Sequence, residues 1–254
     1  MTGQYHIAVL LRALDVLEAL RDAGRLSLSE LSQRLGLPRS SVFRILVTLE
    51  SRGYVEHLPN EQGYALGAAA VTLANGEYFA AFLCRRARPV LERLASQLGE
   101  TVNLGMLVGT EIVYIDMVES HFSMRMNVTV GSRNPAYSTA LGKALLAFCR
   151  PGLDLDLLFP DQLPQITAKT IRSREELKRH LELVRSRGWS MDDEENEPGA
   201  RCIGAPILGA DGHALAAISV AGPVSRLTDG RVDEVARLAL AAAQQIQEEL
   251  HIAP

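Results

Sequence analysis

The chain has 254 residues, 47% of them hydrophobic and 5% aromatic, with a formal net charge of −4 at pH 7. That size suits two compact domains with real cores, and the charge balance excludes a polycationic nucleic-acid binder. No apolar run is long enough for a membrane span and the N-terminus does not resemble an export signal. The three cysteines Cys84, Cys149 and Cys202 are odd in number, far apart and without metal-like spacing, which suits a reduced cytoplasm.

Leu10, Ala13, Leu14 and Leu17 recur at helical spacing and predict an initial amphipathic helix, while Met1 to His6 show no clear pattern. Ser27 followed three residues later by Glu30 forms a capping box, and Leu28, Leu31 and Leu35 give the next helix one buried stripe. Gly36 stands where a helix stops through a left-handed residue, and Pro38 stands where a first-turn proline is tolerated. A further helix is expected from about Pro38 to about Ser51, with Val42, Ile45, Leu46 and Leu49 inward and Ser40, Arg44 and Ser51 outward. Arg39 and Ser41 lie beside that outer face in the first turn. Two short strands follow, Tyr54 to His57 and Tyr64 to Gly67, around a turn containing Pro59, Asn60 and Gly63.

This order is that of a winged helix-turn-helix, which lays its second helix in a DNA major groove. Arg44 is placed to reach a guanine edge or a phosphate, and Ser40 and Ser41 to bond phosphate oxygens near the helix N-terminus. Thr48 is placed to touch the DNA backbone, and His57 reads as a surface residue or phosphate neighbour. An ordinary helical hairpin with a solvated face is the competing interpretation, and the wing argues against it. From residue 34 to 52, Arg34, Arg39, Arg44 and Arg52 oppose only Glu50, so a small basic surface survives in an acidic chain.

Residues 68 to about 80 read as an interdomain helix, and 81 to 98 as the first helix of a second domain, with Arg85, Arg86 and Arg88 before Pro89 as a solvated or salt-bridged cluster. Strands are expected at Thr101 to Val108 and Ile112 to Val118, and another at Met124 to Val130. Tyr137 to Cys149 and Glu175 to Arg187 read as helices. Trp189 to Met191, Cys202 to Leu208 and Ala214 to Ala221 read as strands, the last two joined at Asp211-Gly212, before a closing helix from Asp229 to Leu250. Strands grouped between flanking helices predict an α+β fold with a largely antiparallel sheet. The segment from Ser138 to Lys143 opens a helix whose free N–H groups suit a carboxylate, with a tightly packed helix start as the alternative. The acidic run from Asp192 to Glu197 reads by itself as a solvated loop.

These segments together resemble the IclR (isocitrate-lyase-regulator type) family of bacterial transcription regulators over nearly the whole chain. SLSELSQRLGLPRSSVFRILVTLESRGYV is similar to the family's helix-turn-helix and GYALG to its wing. GETVNLGMLVGTEIVYIDMVES, PAYSTALGKALLA, MDDEENEPGARCIGAPI and AAISVAGPVSR are similar, in that order, to segments of its sensor domain. The resemblance implies a winged helix-turn-helix domain at 1–67, a linker helix at 68–80 and a GAF-like effector-binding domain at 81–254. It implies DNA contacts from Pro38, Arg39, Ser40, Ser41, Arg44 and Thr48. For the effector it implies an apolar wall at Met126, backbone donors at Ala140 and Leu141, and polar contacts at Asp192, Cys202 and Ser219. Asn134, Ala200 and Ala221 match further lining positions, and Ala221 departs from the serine of some members, so one ligand contact is in doubt.

The expected function is therefore a ligand-responsive regulator, a repressor of a catabolic or metabolic operon, with an activator of the same family as the alternative. Its partners would be operator DNA with an inverted repeat, a small organic acid, and a second copy in a homodimer or dimer of dimers, with no cofactor or metal. An enzyme with Cys202 as nucleophile is the remote rival: His121, His180 and His213 have no recognisable spacing to it. A protein-binding adaptor is the other.

Overall fold

The computed structural model describes residues 6–58, 63–73, 76–150, 153–209 and 211–250. The chain divides into two compact units, Met1–Phe79 and Ala80–Pro254.

In the first unit, α1 (Ala8–Ala23), α2 (Leu28–Leu35) and α3 (Arg39–Ser51) precede the antiparallel hairpin β1 (Val55–Leu58) and β2 (Gly63–Leu66), then the short α4 (Ala68–Leu73). The capping box forms as the sequence requires: the Glu30 N–H donates to Ser27 Oγ at 3.2 Å, and the Ser27 N–H to Glu30 Oε2 at 2.7 Å. Gly36 ends α2 at φ +63°, and Pro38 is the N-cap of α3. Val16, Ala19, Leu20, Leu31, Val42, Ile45, Leu46 and Val55 form the core. The backbones of Leu26 and Tyr64 exchange hydrogen bonds, which ties the hairpin to the segment before α2. The expected turn at Pro59 and Asn60 lies outside the described residues.

The inward stripe of α1 differs from the expectation. Ala13 and Leu17 pack inward as expected, but Leu10 and Leu14 are exposed and Val16 and Leu20 are buried in their place. This helix is apolar on more than one side, so periodicity alone does not select the stripe that meets α2 and α3.

A helix break near 80 was expected; α5 (Gly76–Leu98) instead runs continuously past that point, with Pro89 inside it. The remaining elements are β3 (Thr101–Val108), β4 (Glu111–Val118), β5 (Arg133–Pro135), α6 (Ala140–Ala147), α7 (Leu155–Leu158), α8 (Arg174–Arg187), β6 (Ser190–Asp193), β7 (Ala200–Leu208), β8 (Ala214–Pro223) and α9 (Val232–Glu249). The six strands form one antiparallel sheet in the order β5-β4-β3-β8-β7-β6. No strand forms at Met124 to Val130: Met124 and Val130 are exposed, and the edge of β4 is taken by β5. Alternation without a ladder partner does not make a strand. The helix expected from Tyr137 starts only at Ala140, because the Thr139 hydroxyl accepts the Gly142 N–H at 3.1 Å and caps it there.

Strand alternation divides the sheet into two buried faces. On one, α6 and α8 enclose a core containing Tyr114, Leu141, Leu145, Leu177, Leu181 and Val184. On the other, Ile203, Ala205, Ile207, Ile218 and Val220 are buried where the alanine-rich α9 packs on β7 and β8. The register aligns Asp192, Cys202, Ala221 and Thr101 across four strands, and Ser190, Gly204, Ser219 and Asn103 in the next row.

The first turn of α6 lies directly on that second row. A Cβ on Gly204 would stand 2.6 Å from the Ala140 carbonyl oxygen, and a Cβ on Gly142 would overlap the Ala136 backbone. Gly142→Ala is therefore expected to destabilise the second unit by more than ~3 kcal/mol, since backbone cannot yield as a side chain would. Gly36→Ala, with open space but a positive φ, should cost only ~1–2 kcal/mol. Urea titrations followed by circular dichroism would compare the two.

Candidate functional site

On α3 the buried residues Val42, Ile45 and Leu46 fix which side faces outward. Pro38, Arg39, Ser40, Arg44 and Thr48 are exposed and Ser41 is half-buried. Among the described residues, no hydrogen bond or ion pair engages the guanidinium of Arg39 or Arg44. Thr48 Oγ1 donates to the Arg44 carbonyl at 2.8 Å, so its hydroxyl is held along the helix. Phe43 and Val47 also stand exposed on this helix. From the sequence they receive no role, although they stand three residues beyond Ser40 and Arg44 on the outward stripe. The helix thus presents two cations, hydroxyls and an apolar surface, a mixture that suits phosphates, base edges and thymine methyl groups.

In the second unit, Met126, Asn134, Ala140, Leu141, Asp192, Ala200, Cys202, Ser219 and Ala221 all line one cavity of about 70 Å³. Residues more than ninety positions apart meet there because the two register rows form its floor and the N-terminus of α6 its wall. Gly204 permits the close approach, and Ser190 Oγ donates to the Ala140 carbonyl at 2.5 Å. The N–H groups of Ala140 and Leu141 belong to the first turn, have no acceptor within the helix, and none elsewhere among the described residues. Sequence reading missed Asn103, Tyr114, Asn127, Val128, Thr139, Asn196 and Glu197, which complete the lining. Only the strand register could have found Asn103, opposite Ser219.

The acidic run is not a solvated loop. Asp192 and Glu195 are buried, Asp193 pairs with Arg201 and Lys169, and Glu194 pairs with Lys169. Glu195 forms an ion pair with Lys143 of α6, whose side chain is wholly buried. Burial pushes Lys143 down and Glu195 up, and their attraction opposes both shifts. Thr167 and Thr170 hydroxyls donate to the carbonyls of Glu194 and Glu195, each at 2.7 Å, and hold the loop in place. Behind Lys143, burial and the neighbouring Lys143 and Arg187 cations lower His180 to about 4, so it stays neutral at physiological pH.

Burial also raises the Cys202 thiol well above its ordinary value, with the Asp192 charge adding to the effect. A nucleophilic cysteine needs the opposite shift. Among the described residues no cluster of His, Cys, Asp and Glu is arranged to hold a metal ion, and no helix is long and apolar enough to cross a membrane.

Asp192 Oδ1 accepts the N–H groups of Glu195 at 2.7 Å and Asn196 at 3.2 Å. Desolvation nevertheless carries its carboxyl from the ordinary 3.8 up to about 7, against the pull of Lys143 and with the Glu195 charge adding to the rise. Between those values the folded chain holds a proton that the unfolded chain has released, so Asp192 costs stability progressively as pH rises and fully above about 7. Asp192→Asn retains an Oδ1 acceptor and removes the charge. It should stabilise the second unit by on the order of 2–4 kcal/mol at alkaline pH, with the gain fading toward pH 4. Thermal melts of both proteins across that range would show it.

Two family descriptions match this chain: the IclR helix-turn-helix domain over residues 9–59 and the bacterial transcriptional regulator IclR C-terminal domain over residues 80–248. The HTH-type transcriptional regulator BhcR of Paracoccus denitrificans is 37% identical over 241 residues, covering 94% of this chain and 86% of that one. The transcriptional repressor IclR of Escherichia coli is 35% identical over 248 residues, covering 96% and 90%. The crystal structure of the Thermotoga maritima IclR superposes with a TM-score of 0.63 at 31% identity, covering 96% of this chain and 99% of that one. With its winged helix-turn-helix and its sheet domain both matched, the chain belongs to the IclR family of bacterial transcriptional regulators.

Proposed function

We propose that this regulator is a repressor of a metabolic operon whose affinity for DNA is set by a small carboxylate bound in the second unit. The observation that supports it best is the cavity wall at Ala140 and Leu141, where two helix N-terminal N–H groups stand without acceptors beside small side chains. Met126, Asn134, Ala140, Leu141, Asp192, Ala200, Cys202, Ser219 and Ala221 surround the effector. Pro38, Arg39, Ser40, Ser41, Arg44 and Thr48 contact a half-site, with residues 68–80 as the linker. The regulator acts in the cytoplasm as a homodimer or dimer of dimers on an inverted repeat. The effector works only through unequal affinity for the DNA-competent and incompetent arrangements.

The test is fluorescence anisotropy with the DNA upstream of the chain's own gene, at several salt concentrations and with candidate acids. Arg44→Ala should weaken specific binding by ~1–3 kcal/mol, about 5- to 150-fold, and relax the preference at the base it reads. Wild-type affinity should fall steeply as salt rises. Unchanged operator affinity in Arg44→Ala would remove the assigned role.

A further inference from the structure

Most of the cavity lining is fixed by hydrogen bonds. The floor is the paired sheet, Ser190 bonds the α6 wall, and the Thr167 and Thr170 hydroxyls hold the acidic loop. The side made by Met126, Asn127 and Val128 is different. It belongs to residues 119–132, which cross from β4 to β5 without helix or strand. Among the described residues, no hydrogen bond engages the backbone of residues 125–128. Asn127 is exposed although it lines the cavity, and Met126 and Val128 are half-buried, so a single layer of chain separates the cavity from solvent.

Both ends of this segment are tied down. At the far end the Gly131 N–H donates to the Tyr114 carbonyl at 2.7 Å, and the Tyr114 N–H to the Ser132 carbonyl at 3.1 Å. At the near end Ser120 Oγ donates to the Gly99 carbonyl at 2.5 Å. The next tie is Arg226, just beyond β8. Its Nε and Nη2 donate to the two carboxylate oxygens of Glu100 at 2.6 and 2.7 Å, and Glu100 is 1% exposed. That paired geometry fixes the guanidinium. Nη2 also donates to the Met124 carbonyl at 2.9 Å, and the guanidinium lies over the Phe122 ring, 4.6 Å from its centre. Arg226 is thus a post seated on a buried carboxylate, and the segment can leave it without separating the ion pair.

We infer that residues 119–132 are a strap that opens to admit the ligand, with Arg226 the positioning residue that holds it shut. For the ligand this rests on the effector role proposed for the cavity. Opening breaks one charge-assisted hydrogen bond and one cation–π contact and leaves Glu100 paired. Met124 to Val130 alternates without a ladder to join, so no strand pairing resists the movement.

Cys202 lines the cavity and reports opening without any ligand. The test treats the folded full-length protein with N-ethylmaleimide and follows each cysteine by peptide mass spectrometry. Arg226→Lys keeps a cation beside Glu100 but loses the paired geometry, and should speed trapping of Cys202 by about tenfold or more. Phe122→Ala leaves the ion pair whole and should speed it by about threefold or more. Cys149, which is not part of the cavity lining, should react at an unchanged rate in both variants. An unchanged Cys202 rate in both variants, or Cys149 accelerated to the same extent, would overturn the inference. Failure of every acid in the anisotropy assay would remove the effector and leave the strap and its post standing, so the two readings fail separately.

Discussion

The second unit depends on one constraint: the first turn of α6 must lie on the sheet with no side chain between them. Gly204 supplies the gap on the strand side and Gly142 the gap toward the Ala136 backbone. Ser190 then bonds the Ala140 carbonyl across the contact. The close approach creates the cavity, because it brings two unpaired N–H groups to the edge of a floor made from four strands. A larger residue at either glycine would lift the helix and separate wall from floor.

Around that contact the protein buries polar groups that ordinarily stay in water. Lys143 on α6 pairs with Glu195 on the acidic loop, so helix and loop cannot shift independently without leaving a buried charge alone. The penalty for an orphaned charge exceeds the net benefit of the pair, which makes this arrangement a specifier of position more than a source of stability. Asp192 adds a third titratable group whose carboxyl is raised by the same burial.

The winged unit works on the opposite principle. Its core is a small cluster from three helices and one strand of the hairpin, and its candidate function lies in what it leaves exposed. Arg39 and Arg44 remain without partners among the described residues, whereas Arg201 and Arg226 of the second unit are committed to Asp193, Asp229 and Glu100. That difference explains how an acidic chain keeps a cationic helix face.

Local chemistry was legible in the sequence. The capping box at Ser27 and Glu30, the stop at Gly36 and the buried face of α3 follow from contacts within a few residues, and they form as expected. Five of the sheet strands lie within two residues of their expected bounds, since each needs only its own alternation. Where identity rested on a neighbour, the sequence alone did not suffice. Met124 to Val130 alternates but finds no ladder, and α1 has more apolar sides than it has partners. The nine lining residues came from family resemblance, and the fold brings them together, but Asn103 has no local pattern that marks it. The sequence by itself determined the helix caps, the class of fold and the face of α3, because those depend on short-range periodicity. Tertiary structure decided the depth of Lys143, the place of Asn103 in the cavity and the proton affinity of Asp192, because burial and register are set by chain segments far away.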